Sequence, residues 1–285
     1  MNIAIIGTSP IMLILANQLS KKNNITIFEK SKNYGGAWSF EKYKSEYVNG
    51  KTNVVIPRNK REEKFVIRMN KYLERKFNID VKLNKHFFSD LGIFKPKKIF
   101  IYNFKNLFID LNKKFNIKKN IRKIEINKNK VIINNNNYFD KIYIPYNAGI
   151  DKIKVFNTVK KIDFSKIVSK HILIISKKKL LKNFYYTEDF DNVFDRGLIA
   201  SKKKFYSFTA RIRKNYKLSS LKTILKKTKI NLKGNKIYLI KILKYQNHYR
   251  SPEQIEKLLK LKNDKKISIV DTRQFVKSLI SLRVC

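Results

Sequence analysis

The feature that most restricts this chain is its opening stretch, MNIAIIGTSPIMLILANQLSKKNNITIFEK, residues 1–30. Residues 2–6 (NIAII) are a short apolar run, as a strand buried on both faces of a parallel sheet requires. Gly7 makes the turn, Ser9 suits an N-cap, and Pro10 suits the first helical position, where a missing N–H costs nothing. Residues 11–19 are apolar nearly all round, which predicts a largely buried helix. Asn23 and Asn24 turn the chain into ITIFE, a second strand ending at Glu29. Strand, glycine turn, capped helix, strand and terminal acid form the layout of a dinucleotide-binding βαβ unit.

In such a unit the diphosphate rests on the helix N-terminus, where unbonded N–H groups and the helix dipole favour negative charge. The usual G-x-G-x-x-G is reduced here to Gly7-Thr8-Ser9-Pro10-Ile11-Met12, with one glycine of three. Gly7 keeps the turn, and Ser9 offers a hydroxyl at the point where backbone would approach phosphate. Met12 stands where the third glycine lets helix and strand pack closely, so it must displace the helix or find a pocket. Glu29, about twenty residues on, is placed to accept from a ribose 2′-OH and to repel a 2′-phosphate.

The next stretch, FEKSKNYGGAWSF at 28–40, resembles the flavin-binding amine-oxidase-like superfamily. That group includes UDP-galactopyranose mutases, protoporphyrinogen oxidases and phytoene desaturases. Glu29 and Lys30 followed by Gly35, Gly36, Ala37 and Trp38 carry the likeness. Backbone without Cβ at the glycine pair can lie against a diphosphate and ribityl chain. The likeness extends to NIRKIEINKNKVIINNNNYFDKIYIPYNAG, where it implies that Ile121 contacts adenine and that Asp140 is the family's acidic position. It extends also to ISIVDTRQFVKSLI, where it implies that Asp271 lies near the ribityl chain, although Val270 replaces the usual glycine.

The resemblance implies an α/β fold: a Rossmann-type FAD/NAD(P)-binding domain with a mixed parallel sheet and a β-hairpin excursion, plus an inserted α+β substrate domain. Residues 1–60, 115–150 and 265–285 would form the dinucleotide domain, and 61–114 with 151–264 the substrate or cap domain. The implied cofactor is FAD, with NAD as the alternative that leaves Gly35-Gly36 unexplained. The implied function is hydride removal from a small molecule or flavin-assisted isomerisation. The rival reading is a degenerate, non-catalytic Rossmann relative, supported by Met12 and Val270. No catalytic residue is assigned.

Along the rest of the chain, residues 61–77 place Phe65, Met69, Tyr72 and Leu73 on one helical face. Residues 104–115 do the same with Phe104, Leu107, Phe108, Leu111 and Phe115. Three β-prone runs, IRKIEI, KVII and FDKIYIP, are separated by NKN and NNNN turn-formers. HILIIS at 171–176, the aromatic stretch 184–216 and KIYLIKILK at 236–244 read as strands, SPEQIEKLLKL at 251–261 as a helix, and 265–282 as strand then helix.

Among the aromatics, Arg196, Arg211 and Arg213 suit an anionic substrate group, and read equally as ordinary exposed basic strand residues. His86, His171 and His248 lack metal-ligand spacing, so no metal site is expected.

The charge is extreme: 65 Lys+Arg against 21 Asp+Glu, a net +44. It attracts anions nonspecifically at low salt. The basic residues are spread end to end among abundant Asn and Ile, a coding bias rather than a specific nucleic-acid surface. No apolar run is long enough to span a bilayer, and the N-terminus lacks the basic segment of a secretory signal. The only cysteine is Cys285, so a reducing, cytoplasmic setting is expected.

Overall fold

In a computed structural model, residues 1–30, 34–38, 40–49, 54–57, 59–84, 99–119, 121, 123–127, 129–146, 148, 150, 152–155, 158–161, 165–180, 186–188, 194–201, 204–213, 230, 232–249, 265–270, 272 and 275–281 are described. The chain opens with strand β1 (Asn2–Ile6), helix α1 (Pro10–Leu19) and strand β2 (Asn24–Glu29), followed by a 3-10 turn at Gly36–Trp38. Strands β3 (Phe40–Tyr43), β4 (Glu46–Asn49) and β5 (Val54–Val55) precede helix α2 (Lys60–Phe77). Strands β6 (Asp80–Asn84) and β7 (Ile99–Asn103) precede helix α3 (Lys105–Lys114). Then come β8 (Asn116–Lys119), β9 (Ile124–Ile126), β10 (Val131–Ile133), β11 (Asn137–Phe139), β12 (Lys141–Pro145), β13 (Lys152–Val155) and β14 (Thr158–Lys161). The last third holds β15 (Ser165–Ser176), β16 (Tyr186–Glu188), β17 (Phe194–Ser201), β18 (Tyr206–Ile212), β19 (Ile237–Tyr249), β20 (Ile267–Val270) and helix α4 (Phe275–Ser281).

These elements form two compact units. The first comprises Met1–Gly36, Asn106–Ile167 and Asn247–Cys285. Its centre is a parallel sheet in the order β20-β12-β1-β2-β8, the sequence of strands that a Rossmann unit builds around its first strand. Ala4, Ile6, Phe28, Ile142, Ile144, Ile267 and Ile269 line one side of this sheet. They pack against Ile124, Ile126, Val131, Ile133, Ile153 and Val155 of a second sheet, ordered β11-β10-β9-β13-β14. By strand alternation Ile3, Ile5 and Ile27, all buried, point to the opposite side, where α1 packs on β1 and β2. Each such side chain removed from water contributes roughly 1.5–3 kcal/mol, so α1, buried from Pro10 through Ala16, is fixed firmly against the sheet.

The predicted β-hairpin excursion is present, with one difference. FDKIYIP is not a single strand: Phe139 ends β11, whereas Lys141–Pro145 is β12 of the parallel sheet. Asp140 marks the switch. Its carboxylate accepts from the Asn2 N–H at 2.7 Å, and its own N–H donates to the Asn2 carbonyl at 2.8 Å. Asp140 therefore fastens the start of β1 to the start of β12, at the sheet end away from Gly7.

The second unit comprises Ala37–Lys105 and Val168–Gln246. It holds a sheet ordered β16-β17-β18-β15-β19, the β3-β4 hairpin, and a sheet ordered β5-β7-β6. Helix α2 buries Val66, Met69, Leu73 and Phe77; of the predicted stripe, Met69 and Leu73 are buried, whereas Phe65 and Tyr72 are half-buried at its edge. Asn59 caps it by accepting from the Glu62 N–H at 2.8 Å, and Asn78 ends it in the left-handed region at φ 50°. The helix expected at 251–261 lies outside the described residues. No helix among the described residues is long and apolar enough to cross a membrane.

Candidate functional site

The parallel sheet brings the ends of β1, β2, β8, β12 and β20 to one edge, where ligands bind in open α/β sheets. Gly7 follows β1 directly. It sits at φ +85°, and its N–H donates to the Phe28 carbonyl at 2.7 Å, closing the turn onto β2. A left-handed φ strains any residue with a Cβ, so Gly7→Ala should destabilise the fold by about 1–2 kcal/mol. A denaturant melt checks this. Space is not the reason, because the added Cβ would meet only Pro145 Cγ at 3.8 Å.

Ser9 has extended backbone, with φ −61° and ψ 152°, and takes the N-cap position of α1 with Pro10 at the first turn, as predicted. Its hydroxyl makes no capping bond. Ser9 Oγ is buried without a hydrogen-bond partner, which is uncommon for a buried polar atom. The first turn of α1 carries no acidic residue. Helix geometry leaves the Ile11 and Met12 amides without intrahelical acceptors, whereas the Leu13 N–H already bonds the Ser9 carbonyl at 3.0 Å. An acid-free helix start beside an unsatisfied hydroxyl is chemically suited to an anion.

Met12, the largest departure from the glycine pattern, has 0% of its surface exposed. It found a pocket: the side chain is enclosed by the protein and does not project into solvent before the turn.

Glu29 ends β2 and is 8% exposed. One of its carboxylate oxygens, Oε2, accepts from the Thr8 N–H at 2.9 Å and from the Thr8 hydroxyl at 2.5 Å. The Thr8 oxygen in turn accepts from the Gly35 N–H at 3.0 Å. Thr8 itself is 1% exposed. The turn is thus joined through one threonine to the acid 21 positions on and to the glycine pair that begins 27 positions on. Sequence reasoning named Thr8 for its place in the loop but missed this linkage. The available signal was a buried hydroxyl residue between a turn glycine and an N-cap.

Gly35 and Gly36 both adopt positive φ, at 96° and 53°, and a Cβ on Gly36 would meet nothing within 4 Å. Open space beside glycine backbone is what close approach of a ligand requires. Lys30 is exposed just after β2. Ile121 lies two residues beyond β8, whose Lys119 pairs with Glu29, and it packs partly buried against the first unit's core. Asp271 is outside the described residues, but β20 ends beside β12 with Val270 opposite Pro145.

Ala37 and Trp38 open the second unit. Trp38 meets Phe104 edge-on at 5.1 Å and Tyr102 at 6.5 Å, and Tyr102 stacks on Phe104 at 5.5 Å. The Tyr102 hydroxyl donates to Asn70 Oδ1 at 2.6 Å. Burial pushes the Tyr102 phenol well above its usual range, so it stays protonated as a donor. Of the arginines, Arg211 and Arg213 are half-buried on or next to β18. Among the described residues no group of three His, Cys, Asp or Glu side chains could hold a metal.

No family model matches the chain, and no curated protein matches it by sequence. Solved structures do. A protein from Exiguobacterium sp. 255-15, provisionally named protoporphyrinogen oxidase, superposes with a TM-score of 0.64 at 8% identity, covering 99% of this chain and 97% of its own. The CLA-producing fatty acid isomerase from P. acnes gives 0.61 at 11% identity, covering 99% and 96%. Putrescine oxidase gives 0.57 at 10%, covering 79% and 80%. These likenesses concern the fold. The chain shares with these solved structures a mixed α/β fold with a Rossmann-like parallel sheet and antiparallel sheets.

Proposed function

We propose that this chain binds FAD and acts as an oxidoreductase or flavin-assisted isomerase on a small molecule. The observation that carries the reading is the unpartnered Ser9 hydroxyl at an acid-free helix start, one residue pair after the Gly7 turn. That arrangement fits a diphosphate seated at the Gly7–Pro10 turn and met by the Ser9 hydroxyl and the unbonded Ile11 and Met12 amides, because the Gly7 and Thr8 N–H groups already bond Phe28 and Glu29 and Pro10 has none. Glu29 would meet the adenosine ribose, Ile121 the adenine, and Gly35, Gly36, Ala37 and Trp38 the flavin half, with Lys30 and Asp271 flanking. When bound, the flavin supplies a two-electron acceptor, so this chain needs no nucleophile or metal of its own. Its residues have to bind, orient substrate and exclude water.

We assign the first unit to the dinucleotide and the second to substrate. The neighbours support both reaction classes, since two are named oxidases and one an isomerase. The half-buried Arg211 and Arg213 support an anionic substrate group. The lone cysteine supports a cytoplasmic setting.

One observation favours the rival reading of a scaffold without cofactor: Glu29 is mostly buried and already bonded to Thr8. Visible absorbance separates the two. The purified protein should be yellow, or become so on incubation with FAD, with a flavin spectrum that survives gel filtration. A colourless protein that resists reconstitution overturns the FAD reading, and tight NAD binding by such a protein would move the assignment to NAD.

A further inference from the structure

The Thr8 linkage has a direction fixed by chemistry. A backbone N–H can only donate and a carboxylate oxygen only accepts, so the Gly35 amide donates to Thr8 Oγ1 and the Thr8 hydroxyl donates to Glu29 Oε2. The Thr8 amide makes a second bond to the same oxygen. All of this lies inside the protein: Thr8 is 1% exposed, Glu29 8%, and the Gly35 bond is buried. A buried chain of donors and acceptors with no alternative direction holds its members in one arrangement.

We propose that Thr8 is a positioning residue for dinucleotide binding, and not a ligand contact. Its hydroxyl locks the Glu29 carboxylate and the Gly35-Gly36 loop onto the Gly7 turn, so that three otherwise separate contact points are presented as one preformed surface. The inference rests on the reading of the first unit as a dinucleotide site. It also accounts for a chain that manages with one glycine of three in its turn: the register that close glycine packing provides elsewhere is supplied here by a hydroxyl. Preorganisation of this kind acts on affinity, because the ordering cost is met before the ligand arrives.

Two substitutions separate positioning from bulk. Thr8→Val keeps shape and β-branching but can neither donate nor accept. Thr8→Ser restores both bonds and loses only a methyl group. We expect Thr8→Val to weaken FAD binding in a fluorescence titration by about tenfold or more, the effect of losing a hydrogen bond to a charged group. Thr8→Ser should stay within about threefold of the parent. In the ligand-free proteins, hydrogen exchange of the peptide carrying Gly35 should be faster in Thr8→Val and unchanged in Thr8→Ser. Equal FAD affinities for Thr8→Val and the parent overturn the proposal, as does equal weakening by both variants. Unchanged exchange at Gly35 in Thr8→Val overturns the coupling even where FAD binds. A parent protein that takes up neither FAD nor NAD overturns the functional reading and with it the positioning of a dinucleotide by Thr8, whatever the exchange data show.

Discussion

Ser9→Asp should fold at least as well as the parent and lose FAD retention by about a hundredfold or more, an opposition that no general folding defect produces. Ser9 holds the N-cap of α1 with extended backbone but makes no side-chain capping bond, and no acid stands in the first turn. Aspartate caps as well as serine and also interacts favourably with the positive end of the helix, a gain of about 0.3–1 kcal/mol. A diphosphate at the same helix start meets a like charge. At about 4 Å and an effective dielectric of about 20, that repulsion is roughly 4 kcal/mol. Stability and binding therefore move apart. Thermal melting paired with FAD titration reads both, with Ser9→Ala as the control that removes the hydroxyl without adding charge. Intact FAD affinity in Ser9→Asp would remove the α1 terminus from the site.

The contrast between what residues 1–30 disclose and what they conceal follows from the range of the forces involved. NIAII, the Ser9-Pro10 start and ITIFE act locally, through apolar period, capping and turn preference, and each element formed where its residues imply. The burial of Met69 and Leu73 on one face of α2 is of the same kind. The division of FDKIYIP between two sheets was not legible, because both halves alternate apolar and polar residues equally well. What decides it is a bond pair between Asp140 and Asn2, 138 residues apart. Met12 looked like an obstruction because the loop pattern carries no information about the pocket that encloses it. The Thr8 linkage was hidden for a related reason: Thr8 and Gly35 are 27 positions apart, and nothing local to either predicts a shared hydrogen bond. Resemblance located the glycine pair, whereas only the fold could show what holds it.

Glu29 is where stability and recognition are most closely joined, and its two simplest variants should part them. Glu29→Ala strips the acceptor from both Thr8 donors inside the protein, and a buried donor left unmet costs about 1–3 kcal/mol. The loss should total roughly 2–5 kcal/mol by denaturant unfolding. It should extend to Gly35, whose acceptor Thr8 Oγ1 would be free to turn. Glu29→Gln keeps an acceptor oxygen in place, so its unfolding midpoint should remain close to the parent. The ribose contact proposed for it becomes neutral, and FAD affinity should fall about tenfold, the difference between a charged and an uncharged hydrogen-bond partner. The glutamine variant should also tolerate a 2′-phosphorylated dinucleotide better than the parent, because the repelling charge is gone. If Glu29→Gln binds FAD as tightly as the parent while Glu29→Ala only unfolds more easily, Glu29 serves the turn alone. The adenosine end of the ligand must then be held from another strand.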